Sequence, residues 1–365
     1  MADHRERAGA PVHISTIAET GGLEVTLRLK PLAEQTIVVT GGSSGIGLTI
    51  AKRAAEAGAR VVLVARDEDD LQEAKSQIEQ SGGAADHVAA DVGVREQVRK
   101  VVETVVARHG GFDTWVNDAG VGAYAKVEEI SDEDHERLFQ TNYWGVVYGS
   151  TEALKHLKGR GGALINIGSI ASDMPTPLLS TYSASKHAVK GFTNSLRLEL
   201  MHEDAPVSLT LIKPSGMDTP FSEHALNYMD EASKVPPPVY NPDVVAQAVL
   251  RAAQVPTREV TVGGAGAVQT SFFHVLPKIA GKVIELMFYA TARDPNKQRS
   301  NAGGFHEPGE GGRQFGDQGT FRRDTSVYTP ASTHPIATLG IAAAIGLATF
   351  AMVRSRPSAG VLSRR

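Results

Sequence analysis

Cysteine is absent from all 365 residues. Disulfide scaffolds, thiolate zinc sites, iron–sulfur clusters and cysteine nucleophiles are excluded with it. A strong charge of either sign is missing too: the net charge is −4, so no global basic field draws in nucleic acid. Aromatic residues make up only 6% of the chain, yet 41% is hydrophobic and 21% charged. That balance sets aside a disordered chain, a collagen and a multi-span membrane protein. Residues 1–13 carry charges and no apolar run, unlike a secretory signal. A cytoplasmic setting fits these absences. No grouping of His, Asp and Glu has metal-site spacing, so no metal is expected.

What is present begins at Gln35, where short β-rich apolar runs start to alternate with helical stretches. This is the pattern of a parallel sheet assembled from βαβ units. Strands are expected at 36–40, 60–65, 87–90, 113–117, 163–168, 207–212 and 259–262, with helices between them. Ser131 and Asp134 resemble a capping box at the start of one long helix. The expected fold class is α/β: a doubly wound parallel seven-stranded sheet of Rossmann type with helices on both faces.

The core domain is therefore placed at 31–266, after a weakly patterned extension at 1–30. Gly263, Gly264 and Gly266 follow the last strand and are read as a turn. Residues 267–290 read as an apolar helical segment interrupted by Pro277 and Gly281. Residues 291–335 are Gly/Arg-rich without a period and read as a poorly ordered linker. Residues 336–353 contain no charge; as a helix they would reach about 27 Å, near the minimum for a bilayer. Their Ala, Gly and Thr content and the arginines of the basic tail 354–365 weigh against a span. Membrane association through 336–353 is left open.

The strongest local signal is Thr40-Gly41-Gly42-Ser43-Ser44-Gly45-Ile46-Gly47, between a predicted strand and a predicted helix. Glycines there permit a tight turn and let backbone N–H groups approach a pyrophosphate at a helix N-terminus. The second signal is Tyr182-Ser-Ala-Ser-Lys186. Positions i and i+4 share a helix face, so the phenol and the ammonium stand together. A neighbouring ammonium favours phenolate and suits the tyrosine to proton exchange with an alcohol. Either signal alone has a bland reading, a surface turn or a chance helical pair.

Taken in order, the glycine loop, Asn117-Asp118-Ala119-Gly120 on the fourth strand, Ser169 after the fifth and Tyr182-x-x-x-Lys186 resemble the short-chain dehydrogenase/reductase family. The Thr-Gly-x-x-x-Gly-x-Gly form of the loop is similar to that of its compact, single-domain branch. The resemblance covers roughly 32–264. It implies an oxidoreductase that interconverts a carbonyl and an alcohol by hydride transfer with NADP(H) or NAD(H). Carried over residue by residue, it implies Tyr182 as the acid/base and Ser169 as the group orienting the substrate oxygen. Lys186 would hold the nicotinamide ribose and lower the tyrosine pKa, and Asn142 would hold a water of the proton relay. Gly41, Ser43, Ser44, Gly45, Ile46 and Gly47 would form the phosphate loop, and Asp91 and Val92 would meet the adenine. Asn117, Ala119 and Gly120 would wall the cofactor; Pro214, Gly216, Met217 and Thr219 would cover the nicotinamide side. A homo-oligomer is implied by analogy alone.

Two departures stand out. Asp118 replaces a usual asparagine, with little harm expected, and Pro214-Ser215-Gly216 replaces a usual Pro-Gly. At the end of the second strand, Val64-Ala65-Arg66 lacks the carboxylate that would bind a ribose 2′-OH, and Arg66 could pair with a 2′-phosphate. NADP(H) is therefore favoured, with NAD(H) as the alternative. The stretches around Met174–Leu179, Phe221–Met229 and Val235–Pro238 are rich in apolar residues, with His224 as a polar contact. They suit a lipophilic ketone, aldehyde or secondary alcohol. The alternative reading is a non-catalytic nucleotide sensor or membrane-associated scaffold that keeps the fold.

Overall fold

The computed structural model describes residues 27–299, 303–317, 319, 322–326 and 328–329. Most of the extension at 1–30, the segment 336–353 and the tail 354–365 lie outside the described residues.

Seven strands form one parallel sheet: β1 (Thr36–Thr40), β2 (Arg60–Ala65), β3 (Ala84–Ala89), β4 (Thr114–Asn117), β5 (Gly162–Ile167), β6 (Val207–Pro214) and β7 (Glu259–Val262). Their order across the sheet is β3-β2-β1-β4-β5-β6-β7. The apolar runs are continuous because both faces are covered. In β1, Ile37 and Val39 point into one core layer and Val38 into the other. In β2, Val61 and Leu63 alternate in the same way with Val62 and Val64.

Helices α1 (Gly45–Glu56) and α2 (Glu68–Gln80) cover the first face; α3 (Arg95–His109), α5 (Gly145–Arg160) and α6 (Ser180–His202) cover the second. Helix α7 (Asp243–Ala252) returns to the first face against α1. The chain runs outward from β1 to β3, then crosses back to β4 on the other side of β1. That reversal leaves a crevice at the carboxyl ends of β1 and β4, where such sheets bind ligands.

Several expected boundaries move. Strand β3 starts at Ala84 rather than 87, because pairing with all of β2 extends it through Ala84, Ala85 and Asp86, which carry no β-branched or large apolar side chain. The single long helix expected from Ser131 is two, α4 (Asp132–Phe139) and α5, joined by a π-turn over Gln140–Trp144. Ser131 caps α4 by accepting a 3.2 Å hydrogen bond from the Asp134 N–H. The glycines read as a turn instead open helix α8 (Gly264–Val275), with Gly263 at φ +94° before it. Helix α9 (Pro277–Thr291) follows after the break at Pro277; Gly281 stays inside it. No helix among the described residues is long and apolar enough to cross a membrane.

Candidate active site

The crevice opens into a cavity of about 330 Å3. One end is made by the β1–α1 loop. Gly41 and Gly45 have φ of +71° and +54°, a region that disfavours side chains. A Cβ on Gly47 would stand 2.1 Å from the Gly41 carbonyl oxygen, so the first turn of α1 presses directly on the loop. The result is a backbone cradle at a helix N-terminus, which fits a diphosphate. Gly41, Ser43, Ser44, Gly45 and Ile46 line the cavity, as do Arg66 at the end of β2 and Asp91 and Val92 after β3. Gly47 does not line it; its contribution is the close approach.

The other end is built where β5 and α6 meet. Ser169 caps a short turn, its Oγ accepting from the Ala171 N–H at 3.1 Å. Lys186 donates from Nζ to the Ile167 carbonyl at 2.9 Å and stands 5.7 Å from the centre of the Tyr182 ring. Tyr182 is half-buried because it opens onto the cavity. The protein packed round its hydroxyl still desolvates it and pushes the phenol up to about 12. A hydrogen bond with Ser169 opposes that rise and the Asp118 carboxylate adds to it. Burial holds Lys186 below the usual lysine range, and Asp118 partly offsets this. Burial also raises Asp118, against the pull of Lys186 and an N–H from Gly47.

The expected lowering of the tyrosine by Lys186 is thus not the net direction in the protein by itself. Desolvation dominates, and Asp118, expected to be harmless, is the electrostatic partner of Lys186. Ser169, Tyr182, Lys186, Asp118, Ala119, Gly120, Pro214, Gly216, Met217 and Thr219 all line the same cavity. Asn117 and Asn142 do not. Asn117 accepts from Trp115 Nε1 at 2.8 Å and donates to Asn166 Oδ1 at 2.8 Å, tying β4 to β5 inside the sheet. Asn142 sits in the π-turn, fully buried, and grips the Val121 backbone by both amide groups at 2.8 and 2.9 Å.

A buried ion cluster fixes the spacing of this end. Asp173, just after the Ser169 turn, pairs with Lys190 of α6 and Lys213 of β6. Burial opposes the charge on Asp173, but the two lysines outweigh it and hold the carboxyl below its usual range. Lys213 also pairs with Glu259 of β7. The segments that carry or adjoin Ser169, Tyr182, Lys186 and Pro214 are therefore cross-linked.

At the mouth, Met174, Leu179, Phe221 and Val235 to Pro238 line the cavity, together with Ile284, Met287 and Phe288 of α9. Leu226, Tyr228 and Met229 do not line it; Tyr228 turns its hydroxyl to Asp134 instead. Sequence reading missed the α9 residues, since only the fold brings a helix 100 residues downstream against Tyr182. The segment expected to be a linker is also engaged: Gly304, Pro308 and Gly309 line the cavity beside Arg66. The outer N–H groups of Arg66 do not point to an open phosphate site. They donate to the carbonyls of Gly304, Phe305, His306 and Glu307 at 2.7 to 3.0 Å. Among the described residues no cluster of three acidic or histidine side chains could hold a metal.

A doubly wound sheet, a glycine cradle at its switch point and a serine, a tyrosine and a lysine converging on the same crevice define a dinucleotide-binding α/β enzyme. Residues 35–229 match the family model for short chain dehydrogenase. The chain is 40% identical over 91% of its length, and 94% of the relative's, to an uncharacterized oxidoreductase, YxnA, of Bacillus subtilis. It is 31% identical to 11-beta-hydroxysteroid dehydrogenase A of Sesamum indicum, over 75% of this chain and 81% of that one. It is also similar to the solved structure of an alcohol dehydrogenase from the archaeon Thermococcus sibiricus complexed with 5-hydroxy-NADP. There the TM-score is 0.55 at 27% identity, covering 62% of this chain and 95% of that one. The chain belongs to the short-chain dehydrogenase/reductase family. It is an oxidoreductase of the carbonyl/alcohol type, and its family points to a nicotinamide cofactor.

Proposed function

We propose that the protein reduces a lipophilic ketone or aldehyde, or oxidises the matching secondary alcohol, with NADP(H) preferred to NAD(H). The observation that carries this reading is the single cavity joining the glycine cradle to Ser169, Tyr182 and Lys186 and opening between apolar walls. When bound there, the nicotinamide would supply the hydride. The chain's own residues do the rest. Ser169 orients the substrate oxygen. Tyr182, whose high pKa keeps the phenol protonated at neutral pH, donates the proton in the reductive direction. Lys186, anchored by the Ile167 carbonyl, holds the ribose and fixes the geometry of the pair. Asn142 fixes the Val121 backbone beside the cavity and acts on proton transfer through position.

The preference for NADP(H) rests on the end of β2. Strand β2 itself ends without a carboxylate; Asp67 and Asp70 line the cavity beyond it, with Asp67 engaged in capping α2, accepting from the Asp70 N–H at 2.9 Å. The apolar substrate rests on Met174, Leu179, Phe221, Ile284, Met287 and Phe288. Titration with NADPH and NADH, followed by nicotinamide fluorescence, tests the cofactor; tenfold or roughly tenfold tighter NADPH binding is expected. Loss of nicotinamide absorbance on adding a panel of apolar carbonyls tests the reaction. Binding without turnover of any carbonyl or alcohol would instead favour the sensor reading.

A further inference from the structure

We propose that residues 304–313 are a strap closing over the adenosine half of the dinucleotide, and that Arg66 is the strap's anchor. On this assignment Arg66 sets how fast the cofactor is exchanged, rather than which cofactor is chosen. The inference rests on the dinucleotide reading above.

The contacts of Arg66 carry the argument. A guanidinium has four outer N–H groups in a fixed planar fork. Here Nη1 donates to the carbonyls of Phe305 and His306 at 3.0 and 2.8 Å. Nη2 donates to those of Gly304 and Glu307 at 2.7 and 2.8 Å. Four consecutive peptide carbonyls are thus wrapped round one side chain, and a phosphate would have to take donors away from them.

A second set of bonds fastens the strap to the phosphate loop itself. The Gly45 N–H donates to the Arg313 carbonyl at 2.8 Å, and the Gly312 N–H donates to the Ser43 carbonyl at 2.9 Å. Arg313 pairs with Glu223 at 3.0 Å, and His306 Nε2 lies 2.6 Å from Asp134. Phe305 is buried beside Val121 and Leu138. Glycine is needed for so close an approach: a Cβ on Gly304, at φ +105°, would stand 2.5 Å from that of His224. The Gly/Arg-rich composition that looked like a linker is what lets backbone lie on backbone.

The strap roofs the crevice without filling it. Gly304, Pro308 and Gly309 share the cavity's lining with Arg66, Asp91 and the phosphate loop. Its attachment is mainly polar, with Phe305 its one deeply buried apolar side chain in 304–313. Segments held in this way open locally, without global unfolding. The strap must lift for a dinucleotide to leave, and Arg66 resists that lifting.

The test is stopped-flow displacement of NADPH and of NADH from the full chain, followed by nicotinamide fluorescence, for wild type, Arg66→Ala and Phe305→Ala. The second variant loosens the strap while leaving Arg66 in place. Both variants should release both nucleotides faster, by roughly tenfold or more, with the NADPH/NADH ratio unchanged. Bound dinucleotide should slow tryptic cleavage after Arg313 in the wild type and protect it less in the variants. If Arg66→Ala weakens NADPH alone and Phe305→Ala changes neither nucleotide, Arg66 is a phosphate ligand and the strap assignment is overturned. Faster entry with unchanged release would make the segment a plug, and overturn it equally. Failure of the wild type to bind either nucleotide would bring down the dinucleotide reading itself, a result distinct from these.

Discussion

The two ends of the crevice are built on different principles. At the catalytic end, Lys186 and Asp173 are buried, Asn117 and Asn142 are fully bonded inside the fold, and charges are compensated by charges. At the adenosine end, an arginine is held by neutral carbonyls of a polar segment about 240 residues away in sequence. The first end gains its precision from density, since packed and satisfied groups have nowhere else to go. The second trades density for reversibility: its bonds are individually good, but few apolar atoms must be exposed to break them. The proposed chemistry is thereby placed in the densely packed end and the proposed exchange in the end held by polar contacts.

The sharpest test of that contrast is Tyr182→Phe. Turnover should fall by about 10²- to 10⁴-fold, the usual contribution of a general acid, while dinucleotide affinity stays near wild type. Retained turnover, measured by nicotinamide absorbance, would move the proton donor elsewhere. Asp173→Asn probes the density of the same end. It leaves Lys213 buried with less compensation, which should destabilise the protein by about 3–5 kcal/mol, seen as a lower urea midpoint. The sign of the pH dependence follows from the lowered carboxyl of Asp173. Its stabilising contribution is present above the unfolded aspartate pKa of about 3.9 and is lost as pH falls through the lower folded value. Wild-type stability that stayed flat into that acid range would argue against the cluster.

Gly47→Ala addresses the junction between the two ends. The added methyl would collide with the Gly41 carbonyl, so the cradle must shift, costing about 1–3 kcal/mol of stability and weakening NADPH and NADH alike. Unchanged affinity in calorimetric titration would show that the loop has slack. The smallest expected effect belongs to Asp118→Asn. Removing this carboxylate takes away an influence that raises Tyr182, so the tyrosine pKa should fall. In the alcohol-oxidising direction the acidic limb of the rate profile should then move to lower pH, by on the order of one unit. A shift the other way would mean that loss of support for the Lys186 charge outweighs the direct effect on the phenol.

How much of this could be read beforehand depended on range. The glycine loop and the Tyr182/Lys186 pair were legible because each is a local pattern whose geometry follows from a turn or a helix repeat. The seven strands were legible because burial on both faces forces continuous apolar runs, as in Thr36–Thr40. Strand ends were less so, since β3 is lengthened by pairing with β2 through Ala84, Ala85 and Asp86, residues of low strand propensity. The turn assigned to Gly263, Gly264 and Gly266 misjudged a helix start because packing beneath α8 overrides the poor helix propensity of glycine.

The amino-acid sequence by itself determined the parallel sheet, the cradle and the pairing of Tyr182 with Lys186 on one helix face. These rest on short-range sterics and on a binary pattern that admits few alternatives. Only the tertiary structure decided that Asp118 faces Lys186, that α9 walls the pocket, and that Arg66 grips 304–307. Each joins segments whose meeting is set by how layers stack on the sheet. Electrostatic partners and cavity walls are properties of that proximity, and local sequence carries no record of it.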